Sequence, residues 1–450
     1  MKADLEQNCK TQISLSSCCV YFGKDKYDSD SLSQKFVGLK YADDKLKIYF
    51  PVGYRNPAKN KNLEETEKEN RKNVLNLIQI LRSFGENTEN LPLNQNLENE
   101  KNVEFPVHAY LFIIQNFLQN GYFSRKESFY TKNGNGKISW GRTVKCIKPL
   151  VSEGQSVYLD FIKKKTSYID EELISQIHKF CVYECFSKLG FLYTNFMPQK
   201  TSLKLNKALF VSVIRKAAGE TFNENTLLLF KNMIDVLNFL DSNCEKKDFV
   251  YGTENFHYIW ELLVDEVFGE ADKEKFYPKV YWKIKKENGN FESAFNFGND
   301  EKRNSLRPDT IMIQNRGKPG QKIFVLDSKY YRYGVTKIKS HLPSSESIVK
   351  QLAYAKYIEN KNGSIPKDVK AQINEDSIFN AFIMPADLAD EKCKMKNIGF
   401  ASADFVFWEN EDKSEKSWHK IHGILLDTKF LMQNHTKNDK LAAELASLIE

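Results

Sequence analysis

Hydrophobic positions along the chain switch between a period of two and a period near 3.6. Residues 36–41 and 46–50 alternate around the acidic turn Ala42-Asp43-Asp44-Lys45, which predicts a hairpin. Over 63–84 the spacing becomes helical, with Val74, Leu77, Ile78 and Leu81 on one face behind a charged first half. A second helix is predicted over 107–119, stopped at Gly121. Residues 122–144 predict two aromatic-rich strands joined through Lys132-Asn133-Gly134-Asn135-Gly136, because Asn and Gly both accept positive φ in a tight turn. Further helices are predicted over 174–189 and 226–240. The Asn- and Glu-rich stretch 85–104 predicts an exposed linker, and the polar stretch 243–248 a domain boundary.

Beyond that boundary the elements alternate. A helix is predicted over 254–268 with Thr253 as its N-cap; Phe256, Ile259, Trp260, Leu263 and Val267 form its apolar face. Glu254, His257 and Glu261 fall on another face of it. Residues 306–313 and 322–331 predict a β-hairpin around a polar Gly/Pro loop, with Pro308 at the strand start, where a missing N–H does least harm. An amphipathic helix follows over 347–357. The expected fold is α/β: a domain over 246–450 with a mixed sheet flanked by helices, after an N-terminal α+β domain over 1–245.

Composition narrows the class. A chain of 450 residues is too long for one core, and its 41% hydrophobic content excludes a disordered protein. No apolar run is long enough to cross a membrane, and residues 1–10 carry charges where a signal peptide is apolar, so a soluble, cytoplasmic protein is expected. The eight cysteines include no C-x-x-C pair and read as reduced thiols. A net charge of +7 permits a polyanionic partner without requiring one.

The chemistry concentrates in the 306–331 hairpin. Side chains alternate along a strand, so Asp327 and Lys329 share a face, and pairing of the strands brings Asp309 beside Asp327. Two carboxylates suit a hard divalent cation such as Mg2+, and a neighbouring Lys can orient or deprotonate an attacking water. The D-x-K spacing alone is weak, since it recurs at Asp43, Asp368, Asp390 and Asp427. Asp427 also ends an apolar strand, with Asp404 upstream, and is the real competitor. Asp327 is preferred for its Arg307-Pro308-Asp309 neighbour, the short hairpin and the flanking helices. Glu261 is the favoured third carboxylate, with Glu254 the alternative. Lys350, Gln351 and Tyr354 are candidates to support the site or contact DNA. Lys318, Lys322, Arg332, Lys337 and Lys339, with Tyr330, Tyr331 and Tyr333 between them, could track a phosphate backbone, although a solvated face explains each as well.

The run Arg307-Pro308-Asp309, then Val325-Leu326-Asp327-Ser328-Lys329-Tyr330-Tyr331, then the Lys350-Gln351 helix, resembles restriction endonucleases of the PD-(D/E)XK fold. Together with 35–51, 136–143 and 180–184 it most resembles the LlaJI family of type II restriction enzymes. Ser328 stands where relatives of the fold often carry Asp, Glu or Ala. The resemblance implies a Mg2+-dependent endonuclease cutting double-stranded DNA in defence against phage, with Asp309, Asp327 and Glu261 as metal ligands and Lys329 catalytic. It further implies likeness to the McrC subunit of McrBC systems, hence a McrB-like AAA+ GTPase partner, with 1–245 docking it and the Asn-Gly hairpin a finger carrying Lys137 and Arg142. No G-x-x-x-x-G-K-[ST] loop occurs in this chain, so an NTPase would be another polypeptide. Alternatives are a nuclease of this fold acting on RNA or modified DNA, and a non-catalytic adaptor of a ring ATPase.

Overall fold

Every residue of the apolar run Ile378–Ala386 is buried, and this run is the middle strand of a five-stranded mixed sheet. The computed structural model describes residues 19–22, 36–42, 45–55, 63–85, 105–152, 155–169, 172–242, 248–287, 290–294, 305–361, 364–374, 376–404 and 416–450. In chain order the sheet and its neighbours are α1 (Phe256–Phe268), β1 (Thr310–Gln314), β2 (Lys322–Ser328), α2 (Ser345–Glu359), β3 (Ile378–Ala386), β4 (Met395–Ala401) and β5 (Ile421–Asp427). The strands lie in the order β1-β2-β3-β5-β4. The two edge strands are antiparallel to their neighbours, whereas β2, β3 and β5 run parallel. Parallel strands need a crossover, and α2 lies in the one between β2 and β3. Its Leu352, Ala355 and Ile358 pack on Ile323, Val325, Ile378 and Phe382, which explains why the inner strands read as unbroken apolar runs.

The chain divides into two compact units, and the division is discontinuous in sequence. One is centred on Glu98–Phe249; the other joins Cys19–Lys40 and Leu46–Leu97 to Val250–Glu450. The expected domains were continuous, with a boundary near 245. Early segments instead return to the C-terminal unit: Lys429 Nζ pairs with Glu69 at 2.7 Å, and Thr428 Oγ1 donates to the Val52 carbonyl at 2.8 Å. An amphipathic pattern states that a face will be buried, but not by what. The hairpin expected over 36–50 is present as Val37–Ala42 and Lys45–Phe50, flanked by Cys19–Phe22 on one side and Phe249–Thr253 on the other.

The Glu98–Phe249 unit holds helices Val107–Asn120, Leu173–Leu189, Lys207–Gly219 and Glu224–Ser242, the third of which the sequence pattern did not predict. Its three-stranded sheet corrects the expectation for 122–144. Arg125–Lys132 and Lys137–Ile138 do not pair with each other; Ile162–Ile169 lies between them, and Trp140–Cys146 is a helix. Asn133 is the cause. Its side chain accepts from Phe161 N at 2.8 Å and its own N–H donates to Phe161 O at 2.8 Å, so the turn is tied to the incoming third strand.

A second correction concerns the 254–268 helix. Thr253 ends a strand, its Oγ1 accepting from Asn255 N at 3.0 Å, and α1 begins at Phe256. Glu254 therefore precedes the helix and shares no helical face with Glu261. Of the expected linker 85–104, Gly85 is the last residue of the helix Leu63–Gly85, and the rest, with most of the boundary 243–248, lies outside the described residues. Among the described residues no helix is long and apolar enough to cross a membrane.

Candidate active site

The register of β1 against β2 pairs Thr310 with Leu326, so one step further Asp309 faces Asp327. Asp309 Oδ2 accepts the backbone N–H of Ser328 at 2.7 Å, which fastens the first acid to the strand bearing the second. Asp327 is buried, and its Oδ2 lies 2.7 Å from Lys329 Nζ. The Lys329 N–H donates to Ile383 O at 2.9 Å, so the lysine is still held in the ladder beyond the last residue of β2. Lys273, which the sequence did not single out, donates to the Asp309 carbonyl at 2.6 Å and to Asp265 Oδ2 at 2.7 Å. It sits in the alternating-charge run Asp272-Lys273-Glu274-Lys275, where nothing distinguishes it from a solvated lysine.

The site is acidic and poorly neutralised. Asp309 keeps part of its surface open, yet protein atoms crowd it: burial first, then the Asp327 and Glu261 charges, push its carboxyl well above the usual range. A hydrogen bond between the Asp309 and Asp327 carboxyls raises it further, as two acids sharing a proton must. Glu261, on α1 beside the fully buried Trp260, is pushed up to about 7, by burial and then by Asp327, against the opposing pull of Lys329, Lys273 and Lys350. Burial lowers Lys329, but the adjoining Asp327 outweighs it and the ammonium is held above its ordinary value.

This arrangement sets a pH dependence. Glu261 binds its proton more tightly folded than unfolded, so it contributes stability that is fully present below about 4.5 and lost as pH rises through about 7. The melting temperature of metal-free protein should fall across that window, and Glu261→Gln should flatten the slope. A slope unchanged in Glu261→Gln, followed by thermal melts from pH 5 to 8, would remove Glu261 from the cluster.

Among the described residues no group of three or more His, Cys, Asp or Glu forms a ready metal cage. The paired acids nonetheless fit Mg2+, which commonly takes one or two carboxylates and completes its shell with water and phosphate oxygens. The observation that supports the fit is the excess of buried carboxylate over cation: Asp309 and Asp327 face each other, Glu261 adds to their field, and among the described residues Lys329 is the ammonium paired with a carboxylate of the three. A divalent cation would supply the charge that this cluster is short of.

The remaining candidates divide. Tyr354 is buried, and its hydroxyl donates to the Arg307 carbonyl at 3.0 Å, bracing the backbone just before Asp309. Gln351 is fully buried, but its amide is committed to the sheet, donating to Val325 O at 2.6 Å. Lys350 is exposed, with Nζ 5.8 Å from the Tyr354 ring centroid. The Tyr330 hydroxyl oxygen accepts from Val52 N at 2.8 Å, which ties this side chain to the early segment of the chain. Lys318 and Lys322 lie at the turn end of the hairpin, away from Asp327, and Lys322 pairs with Glu450.

The competing D-x-K at Asp427 has a structural use. Both Asp427 oxygens accept backbone N–H groups, from Phe430 at 2.7 Å and Leu388 at 3.0 Å, and the residue caps the helix Thr428–Gln433. Asp404 lies past the Ala401–Ile421 pair, at the other end of β5. Lys429 is turned to Glu69. Asp427→Ala should therefore cost roughly 1 kcal/mol of stability through the lost cap, and Lys429→Ala should leave any nuclease rate within twofold of wild type. Plasmid-cleavage rates and melts of both variants check this; a hundredfold rate loss in Lys429→Ala would move the site.

The family model described as the LlaJI restriction endonuclease matches residues 36–426. The chain is 28% identical over 301 residues to the type II restriction enzyme BsuMI component YdjA of Bacillus subtilis, a match covering 64% of this chain and 58% of that relative. It thus spans less than two thirds of the relative's length. Among solved structures it is similar to a chain in a Thermococcus gammatolerans assembly of McrB AAA+ hexamers with bound McrC, at 13% identity and a TM-score of 0.32, covering 99% of this chain and 92% of that one.

Proposed function

The chain belongs to the LlaJI restriction endonuclease family, and from that premise we propose that it is a Mg2+-dependent DNA endonuclease of a restriction system, with a PD-(D/E)XK site. The observation that carries this reading is the Asp309–Asp327 pair at the end of a buried hairpin, with Lys329 Nζ 2.7 Å from Asp327. Buried like charges cost stability, and such clusters are characteristic of sites whose chemistry requires them. The β1-β2-β3 arrangement, one antiparallel and one parallel neighbour around the D-x-K strand, supports the fold assignment.

Asp309 and Asp327 would hold the cation, with Glu261 the third carboxylate. Bound there, Mg2+ would polarise the scissile phosphate and make water a stronger nucleophile at neutral pH. Lys329 directs its ammonium at the water and at charge developing on phosphate oxygens. Asp327 keeps that ammonium oriented, and Tyr354 and Lys273 fix the backbone on either side of Asp309.

The relative is named a component of its enzyme, which supports a multi-subunit assembly. The resemblance to McrC-like subunits leads us to propose an AAA+ GTPase of the McrB kind as the partner; this chain carries no G-x-x-x-x-G-K-[ST] loop of its own. Incubation of purified protein, alone and with any AAA+ protein encoded beside it, with unmodified plasmid, methylated plasmid and single-stranded RNA tests the substrate. Cleavage of DNA with Mg2+ that stops in EDTA is expected. Cleavage of RNA alone would overturn the DNA reading.

A further inference from the structure

Residues 125–169 contain ten Lys and Arg against three Asp and Glu, a net charge of +7. The formal net charge of the whole chain is also +7, so all other residues balance. Seven of the ten lie on the three-stranded sheet of the Glu98–Phe249 unit, and Arg142 and Lys145 on the helix Trp140–Cys146. Its register places Tyr130, Lys164 and Lys137 in one row across the strands, since Lys164 is directly opposite both neighbours. Like charges facing each other across strands destabilise a sheet. Arg142 adds a third cation, its guanidinium carbon 3.7 Å from the centroid of the Tyr130 ring.

Lys137, Lys164 and Arg142 are exposed, and among the described residues none of them pairs with an acid. Asp160, the acid of this segment whose side chain is described, pairs with Lys132 at 2.7 Å. Lys163 and Lys165 point to the opposite face, beside Thr131 and Phe129. The fold thus retains a repulsive, uncompensated row where a neutral residue would be more stable, which is the electrostatic footprint of a polyanion site.

We propose that this sheet face binds the phosphate backbone of DNA through Lys137, Lys164 and Arg142; the inference rests on the DNA reading given above. Two polyanionic surfaces fit a cationic row, a nucleic-acid backbone and an acidic protein face. Lysine is depleted from protein–protein interfaces and is a principal phosphate contact, which favours DNA. Backbone contacts carry no sequence information, so this face supplies affinity and position rather than recognition of a site.

The test is binding of the full-length protein to a labelled duplex in EDTA, over a salt series, beside single-turnover cleavage in Mg2+ at saturating DNA. Lys137→Ala with Lys164→Ala should weaken binding roughly 10- to 100-fold at about 0.1 M salt and lower the salt slope by about 2, as two lost phosphate contacts require. Lys361→Ala with Lys392→Ala removes the same charge from exposed positions elsewhere and should match wild type. Unchanged affinity and slope in the first variant, with wild-type cleavage intact, would overturn this proposal alone. Weakened binding in that variant, with no cleavage by wild type, would support the face and count against the nuclease reading. Normal DNA binding with lost association to an AAA+ protein would make the face a protein-docking surface and defeat the proposal.

Discussion

Asp309→Asn is expected to lower Mg2+-dependent DNA cleavage by about a thousandfold, the loss of several kcal/mol of transition-state stabilisation, and to raise the stability of the metal-free protein. Both effects follow from one arrangement. Asparagine retains an oxygen to accept the Ser328 N–H, so the local fold is kept. It removes a carboxyl whose ionisation is opposed by burial, by Asp327 and by Glu261, while Asp327 keeps Lys329. The gain should grow as pH rises and the carboxyl is forced to ionise, reaching about 2–4 °C in melting temperature, the shift that about 1 kcal/mol gives in a domain of this size. Added Mg2+ should raise the melting temperature of wild type and not of the variant. Loss of cleavage together with loss of stability would mark Asp309 as a structural residue.

Trp260→Ala should be the most damaging change that touches no reacting group. Trp260 is fully buried, its indole N–H donates to Ile383 O at 3.3 Å, and it stands one residue from Glu261 on α1. Truncation of a buried Trp costs about 3–5 kcal/mol, which is a large part of the margin of a typical domain. Urea unfolding monitored by circular dichroism should show the midpoint fall accordingly. Trp260→Phe should recover more than half of the loss, since most of the cost is cavity rather than hydrogen bond. A loss under about 1 kcal/mol in Trp260→Ala would mean that α1 is not anchored as described.

Much of the site was legible because its signals are local. A period of two around Asp327, a short Gly/Pro loop and an apolar flank predict the hairpin, and a hairpin of that length sets Asp309 opposite Asp327. The choice of Asp327 over Asp427 was weaker in sequence, because both end apolar strands; geometry separates them, since Asp427 is occupied as a helix cap. What escaped depends on partners distant along the chain. Lys273 acquires its position only when the Asp309 loop folds over it. The Asn-Gly pairs at 133–136 do make a turn, but a third strand more than twenty residues later enters between the two segments. Glu254 was misplaced because the helix starts two residues later than expected: Thr253 serves as a strand end whose hydroxyl bonds Asn255, a role that looks identical to an N-cap in sequence. Assignment of the first hundred residues to an N-terminal domain assumed that neighbours in sequence share a core, whereas Val52, Glu69 and Lys429 show the chain doubling back.

The measurement that bears most directly on the nuclease reading is cleavage of unmodified plasmid DNA in Mg2+ by wild type and by Lys329→Ala, each alone and with any AAA+ protein encoded beside it. The Lys329 ammonium pairs with the buried Asp327, so its removal withdraws the group assigned to the water, and melts of the variant check that the fold survives the unpaired acid. Cleavage by wild type, reduced about 100- to 10,000-fold in the variant as loss of a positioned acid–base group predicts, is the expected result. Equal cleavage by both proteins, at equal purity, would contradict the assignment of the Asp309–Asp327–Lys329 site.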